Sequence, residues 1–142
     1  MSRTEIEKLN YLWHIVGNQL KEEMSNEKYS YITGLSMVEM SILQIIEKNP
    51  KIIFKEICTQ LGLPKSTLTS AVNRLEKRGL VKRNPLQQDK RAFFLELTAS
   101  GFEAQREHVL IEYVVFERLL QGLEEQEEKT FVALLSKALK IQ

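Results

Sequence analysis

Cysteine and aspartate each occur once in these 142 residues and histidine only twice, and no apolar run approaches the length of a membrane span. The lone Cys58 cannot close an intramolecular disulfide, so no disulfide framework holds this fold. Beside Ile57 in an amphipathic stretch, Cys58 reads as a small core side chain rather than a redox sensor. His14 and His108 stand far apart with no cysteine at ligand spacing, so no metal and no other cofactor is expected. Six scattered glycines make no phosphate-cradling loop, and no nucleophile is paired with a base, which leaves an enzyme without its parts. A spanning helix needs roughly 18 or more unbroken apolar residues. With none present and with mixed charge in the opening residues, the expectation is a cytoplasmic protein with no membrane partner. Net charge is scarce too: 20 Lys and Arg against 19 Asp and Glu leave +1, and nothing global marks a binder of nucleic acid. The 43% apolar content excludes disorder and suffices for the core of one ordinary domain.

What is present is helical periodicity. Ile6, Leu9, Leu12, Trp13, Val16 and Leu20 recur in steps of three and four, predicting a long amphipathic helix over about 4–29, with chain-breaking residues between Tyr29 and Gly34. Ser36 precedes Glu39 by three positions, a capping box, with Leu35 and Met40 placed as a hydrophobic staple; a second helix therefore starts at Met37 and stops before Asn49-Pro50. A short apolar stretch, Ile52 to Phe54, leads into a third helix over about 54–61. The break Gly62-Leu63-Pro64 and a fourth helical pattern follow, which is the helix-turn-helix arrangement. Leu68, Ala71, Val72 and Leu75 share one face of the fourth helix, Ser66, Ser70, Asn73 and Lys77 lie opposite, and Gly79 stands at the left-handed C-terminal position. The period then changes to two. Leu80 to Asn84 and the alternating Phe93, Leu95 and Leu97 predict a hairpin whose polar tip, Pro85 to Arg91, projects as a wing. Thr98 caps a fifth helix, with Leu97 and Phe102 at staple positions, that runs to about Gln121. A last helix begins near Glu124 and carries Phe131, Leu134, Leu135 and Leu139 on one face.

The small total charge conceals a division. From Pro64 to Arg91 there are eight basic residues (Lys65, Arg74, Lys77, Arg78, Lys82, Arg83, Lys90, Arg91) and two acidic ones (Glu76, Asp89), a net +6 that leaves the other 114 residues at −5. A basic run alone is more often a solvated surface. This one coincides with the two elements that can enter adjacent grooves of a duplex, where neutralised phosphates release counterions. Asn73 has the groups for a bidentate contact to adenine, Thr69 a methyl for thymine, and Ser66, Thr67 and Ser70 hydroxyls for phosphate or base edges; Lys65 lies in the first turn, where phosphate is favoured. Each also has a plainer reading as a cap or a solvated polar residue.

Residues 89–101, DKRAFFLELTASG, resemble the signature of the multiple-antibiotic-resistance regulator (MarR) family at Asp89, Arg91, Leu97, Thr98 and Gly101. Upstream, LGLPKSTLTSAVNRLEKRGLVKR (61–83) is similar to that family's helix-turn-helix and first wing strand, and the flanking long helices match its dimerisation region in position. The resemblance implies a mainly α protein with a small β-hairpin wing. It would be a single domain over 1–142, with a winged helix-turn-helix at 36–97 between dimerisation helices at 1–30 and 98–142. It also implies a homodimeric regulator of transcription that binds double-stranded DNA at a pseudo-palindrome, as a ligand-responsive repressor. The recognition helix would lie in the major groove and the wing arginine, here Arg91, in the minor groove, oriented by an ion pair with Asp89; Asp89 can equally serve the turn itself. Lys65, Ser66, Thr67, Thr69, Ser70, Asn73, Arg74, Lys77, Arg83, Lys90 and Arg91 are the expected DNA contacts. Pro64 and Glu124 depart from the family's capping serines, and its N-terminal redox cysteine is missing. Tyr11, Trp13 and Phe116 could line a pocket for a small-molecule effector, although such aromatics more often form a dimer core. The rival expectation is a winged helix that binds an acidic protein in place of DNA.

Overall fold

The computed structural model describes residues 3–141. Six helices and one hairpin follow in the order α1 (Arg3–Met24), α2 (Met37–Lys48), α3 (Phe54–Leu61), α4 (Lys65–Lys77), β1 (Val81–Pro85), β2 (Phe93–Leu97), α5 (Ala99–Leu120) and α6 (Glu125–Ala138). The mainly helical architecture with a β-hairpin wing is the expected one. No helix among the described residues is long and apolar enough to cross a membrane.

Helix α1 ends five residues before the expected Tyr29, for a local reason. The Ser25 hydroxyl donates to the Glu22 carbonyl at 2.7 Å and the Asn26 side-chain oxygen accepts the Lys28 N–H at 3.1 Å. Short polar side chains that bond nearby backbone offer the chain an alternative to the helix. Ser36 caps α2 by accepting the Glu39 N–H at 3.1 Å, but the expected box is only half formed, because the buried Glu39 carboxylate turns to Arg74 instead. The staple residues Leu35 and Met40 are both buried. At the other cap, Leu97 is buried while Phe102 remains half exposed. The last helix is capped by glutamates: Glu127 reaches back to accept the Glu124 N–H at 2.9 Å.

Strand β1 begins one residue later than expected, because the Leu80 N–H still belongs to α4 and donates to the Leu75 carbonyl at 3.0 Å. Gly79, at φ 73°, makes that turn possible, since a left-handed residue strains any side chain with a Cβ. The two strands pair antiparallel from Val81 opposite Leu97 to Pro85 opposite Phe93. A bridge between Ile53 and Phe94, with Leu95 N–H on the Ile52 carbonyl, adds a third edge from the stretch before α3. One continuous core includes Ile42 and Leu43 of α2, Ile57 of α3, Leu68, Val72 and Leu75 of α4, Leu95 of β2, and Ala104 and Ile111 of α5. Cys58 packs half-buried against that core, less enclosed than expected.

A buried carboxylate joins the long helices. Glu23 of α1 accepts the Tyr29 hydroxyl at 2.7 Å, pairs with Arg118 of α5 at 3.2 Å and lies 3.6 Å from Lys28. The Tyr29 hydrogen bond first, then the charges of Arg118 and Lys28, hold this carboxyl below its ordinary 4.5 against the opposing effect of burial. A depressed folded-state value means that the ionised carboxylate stabilises the fold above the unfolded pKa, and that this contribution disappears as pH falls through the folded one. Glu23→Gln should therefore melt below the parent at neutral pH, with the gap closing as the pH falls below 4.5. An equal gap at pH 7 and in strong acid would refute this role.

The packing is incomplete on one side. Helix α6 buries none of its residues, and Phe131, Val132, Leu134, Leu135 and Leu139 are all exposed in the single chain. Ile6, Leu9, Leu12 and Trp13 of α1 are likewise exposed.

Candidate nucleic-acid interface

The turn between α3 and α4 is made by Gly62 at φ 61°, with the Leu63 N–H on the Cys58 carbonyl at 3.2 Å. It sets α4 at the surface with Leu68, Ala71, Val72 and Leu75 wholly buried. With that face fixed, the 3.6-residue period forces Lys65, Ser66, Thr67, Ser70, Asn73, Arg74 and Lys77 outward, and all seven are exposed. Pro64 supplies no side-chain cap, so the first N–H groups of α4 have no side-chain acceptor there. Thr69 is half-buried and its hydroxyl donates to the Lys65 carbonyl at 2.8 Å, which leaves its methyl group as the contact it can offer.

The wing tip is built around Asp89. Its carboxylate accepts the Arg91 backbone N–H at 3.0 Å and lies 3.5 Å from Arg91 Nε, so the turn role and the pairing role expected for this residue occur together. Ala92 N–H reaches the Asp89 carbonyl and Leu86 N–H the Ala92 carbonyl, both at 3.0 Å, and these bonds close the loop. The Arg91 side chain is 95% exposed, ready to reach away from the body.

The basic residues divide into two groups. Arg74 Nε sits 2.7 Å from Glu39 and is the one strong tie between the outer face of α4 and α2. Arg78 donates to the carbonyls of Thr33 and Tyr31 at 2.7 and 3.0 Å, anchoring the end of α4 to the turn after α1. Lys82 pairs with Glu96 directly across the hairpin at 3.3 Å. Arg83 stands 3.4 Å from Glu76, donates to Asn73 and stacks over Phe93 at 4.9 Å. Among the described residues, Lys65, Lys77 and Lys90 carry no ion pair, and with Arg91 they form the outward positive set. The +6 count is thus an upper figure, since Glu39 and Glu96 lie outside the counted segment and neutralise two of its members. The sequence reading missed the anchors at Glu39 and Arg78; in Arg83 it saw the charge and not the partners. Only Lys82–Glu96 has a local sequence cue, the facing positions of a hairpin.

Tyr11 and Trp13 are not gathered into a pocket: they are 67% and 72% exposed on α1 and line neither of two clefts on the long-helix side. Those clefts run along α5, one between Glu47, Phe102, Gln105 and Leu110, another beside Phe116 and Leu120. The physical reason is that α1 meets the body of the chain through its C-terminal half, around Leu20, Glu23 and Met24, while its N-terminal half stays exposed.

Comparison with known proteins agrees with this geometry. The model of the MarR family matches residues 33–92. The HTH-type transcriptional regulator YwhA of Bacillus subtilis is 27% identical over 128 residues, 90% of this chain and 92% of that protein. The transcriptional regulator HosA of Escherichia coli O157:H7 is 30% identical over 106 residues, 75% of this chain and 78% of that protein. Among solved structures, Streptococcus pneumoniae FabT in complex with DNA superposes with a TM-score of 0.77 at 27% identity, covering 95% of each chain.

Proposed function

We infer the activity from one premise: the chain belongs to the MarR family of winged-helix transcriptional regulators. It is a DNA-binding regulator of transcription, and the reading that fits its surface best is a homodimer that represses from a pseudo-palindromic operator and responds to a small ligand. Its relatives are regulators and not enzymes, and nothing favours an acidic protein as the partner of the wing. Its compartment is then that of the DNA it reads, the cytoplasm. The observation that carries the reading is the juxtaposition of an exposed polar face on α4 with an outward arginine at the wing tip, the two elements that fit a major groove and the adjacent minor groove. That FabT was solved on DNA supports it.

In this reading Lys65, Lys77 and Lys90 contact phosphates, and Ser66, Thr67, Ser70, Asn73 and the Thr69 methyl meet base edges or backbone. Phosphates also suit the uncapped N–H groups behind Pro64. Arg91 enters the minor groove, held by Asp89 at the base of its reach. Arg74 serves by fixing α4 to α2 through Glu39. A ligand that binds only the dimer geometry unable to span both half-sites releases the DNA, to the extent of its differential affinity.

The test is a salt titration of duplex binding by the parent and by Arg91→Ala. Binding should weaken, and the slope of log K against log salt should fall by about one unit for one lost phosphate-proximal charge. Unchanged affinity and slope would remove the wing from the interface.

A further inference from the structure

Arg83 looks at first like one more cation for the DNA, yet its surroundings give it a different task. It rises from β1, and its side chain is only 30% exposed. Its guanidinium lies 3.4 Å from the Glu76 carboxylate, covers the Phe93 ring at 4.9 Å, and donates through Nη2 to Asn73 Oδ1. Glu76 and Asn73 stand three residues apart on the same face of α4, so they bracket the incoming guanidinium. Glu76, Asn73 and the Phe93 ring thus hold the guanidinium on three sides, turned toward α4.

Its effect falls on Asn73. The terminal torsion of an asparagine is broad and roughly two-fold, so an exposed carboxamide can present its oxygen and its NH2 in either order. Arginine has donors and no acceptor, so the group facing Arg83 must be the Asn73 oxygen. The order of donor and acceptor presented to the groove is therefore set from the wing strand. That order matters because base pairs in the major groove are told apart by their donor and acceptor pattern.

We propose that Arg83 is a positioning residue for base recognition: it fixes the Asn73 carboxamide in one orientation and so sets the base preference of α4 at one position in each half-site. This rests on the reading of α4 as the helix that enters the major groove.

The experiment uses the full chain and a bound duplex chosen from a random pool, with single base-pair changes made across the half-site. Competition binding is measured for the parent, Asn73→Ala, Arg83→Met and the double variant. The parent should discriminate at the position read by Asn73 by roughly 5- to 150-fold, the range of a good side-chain–base contact. Asn73→Ala should flatten preference there. Arg83→Met should flatten the same position to within about threefold while keeping the preferences elsewhere and the salt slope, and the double variant should discriminate no worse than Asn73→Ala. If Arg83→Met melts below the assay temperature, Arg83→Gln, whose amide can face Asn73 with either a donor or an acceptor, carries the same comparison. A uniform loss of affinity for all duplexes with a salt slope lower by about one would make Arg83 a phosphate contact and overturn the proposal. An intact base preference in the variant would overturn it equally. A parent that prefers no duplex would instead remove the DNA-reading function itself, and the positioning role with it.

Discussion

Leu135→Asp is expected to turn the protein into a monomer at micromolar concentration and to weaken its binding to a palindromic duplex by about 100-fold or more, the usual scale of lost bivalency. The reason lies in what α6 lacks. None of its residues is buried by its own chain, yet Phe131, Leu134, Leu135 and Leu139 stand at i, i+3, i+4 and i+8 along a single stripe. Helix α1 adds Ile6, Leu9, Leu12 and Trp13, each more than half exposed. Burying a large apolar side chain is worth about 1.5–3 kcal/mol, so these six aliphatic and two aromatic residues on each protomer represent a driving force that a monomer leaves unused. In the homodimer reading a second copy of the chain supplies the missing cover, and two-fold symmetry matches a palindromic site. An aspartate at the middle of that stripe loses the leucine's contribution and puts a charge where it has no partner. Sedimentation that still finds a dimer for Leu135→Asp would show that α6 is not the interface.

Gly101→Ala should lower the stability of the fold by about 3 kcal/mol or more, at the upper end for overpacking, and its thermal midpoint by roughly 10 °C at fixed protein concentration. A Cβ at this position would meet the Leu80 carbonyl oxygen at 2.0 Å and its carbon at 3.1 Å. That carbonyl cannot withdraw easily. It accepts the Thr98 N–H at 3.1 Å, while the Thr98 hydroxyl donates to the Gly79 carbonyl at 2.5 Å and accepts the Gly101 N–H at 3.0 Å. Thr98 thus caps α5 and ties its first turn to the end of α4, and only glycine fits the approach that results. The Leu-Thr and Gly of the family signature have their physical cause in this one junction. Gly122→Ala is the control, because a Cβ there meets nothing within 4 Å and the residue has no positive φ. It should leave stability within about 0.5 kcal/mol or raise it slightly. Equal melting of the two variants would contradict the junction.

The elements that were legible in the sequence are those written in local periodicity. Leu68, Ala71, Val72 and Leu75 announced both the buried face of α4 and its outward one, and Gly79 announced its end. Thr98 and Ser36 are caps because their chemistry acts within three residues. What stayed hidden depends on residues brought together from afar. Glu39 was assigned to its own helix cap, whereas Arg74, 35 positions away, claims its carboxylate. Arg78 sits in a basic run but is committed to carbonyls 45 and 47 residues earlier. Asn73 looked able to meet adenine through both its groups, yet its oxygen is engaged by the wing strand. Tyr11 and Trp13 were candidates for a pocket because aromatic residues suit one, but both lie on the exposed half of α1. Charge by composition and pattern by period are local quantities; pairing is not.

The central claim is that two copies of this chain read DNA together, each through α4 and the wing. Selection of bound duplexes from a random pool by the parent chain tests it in one measurement. The account predicts enrichment of an inverted repeat whose half-sites lie about one helical turn apart, roughly 10–10.5 base pairs centre to centre, with affinity that falls steeply as salt rises. A pool that emerges without enrichment, or enriched in a single unrepeated site, would contradict it.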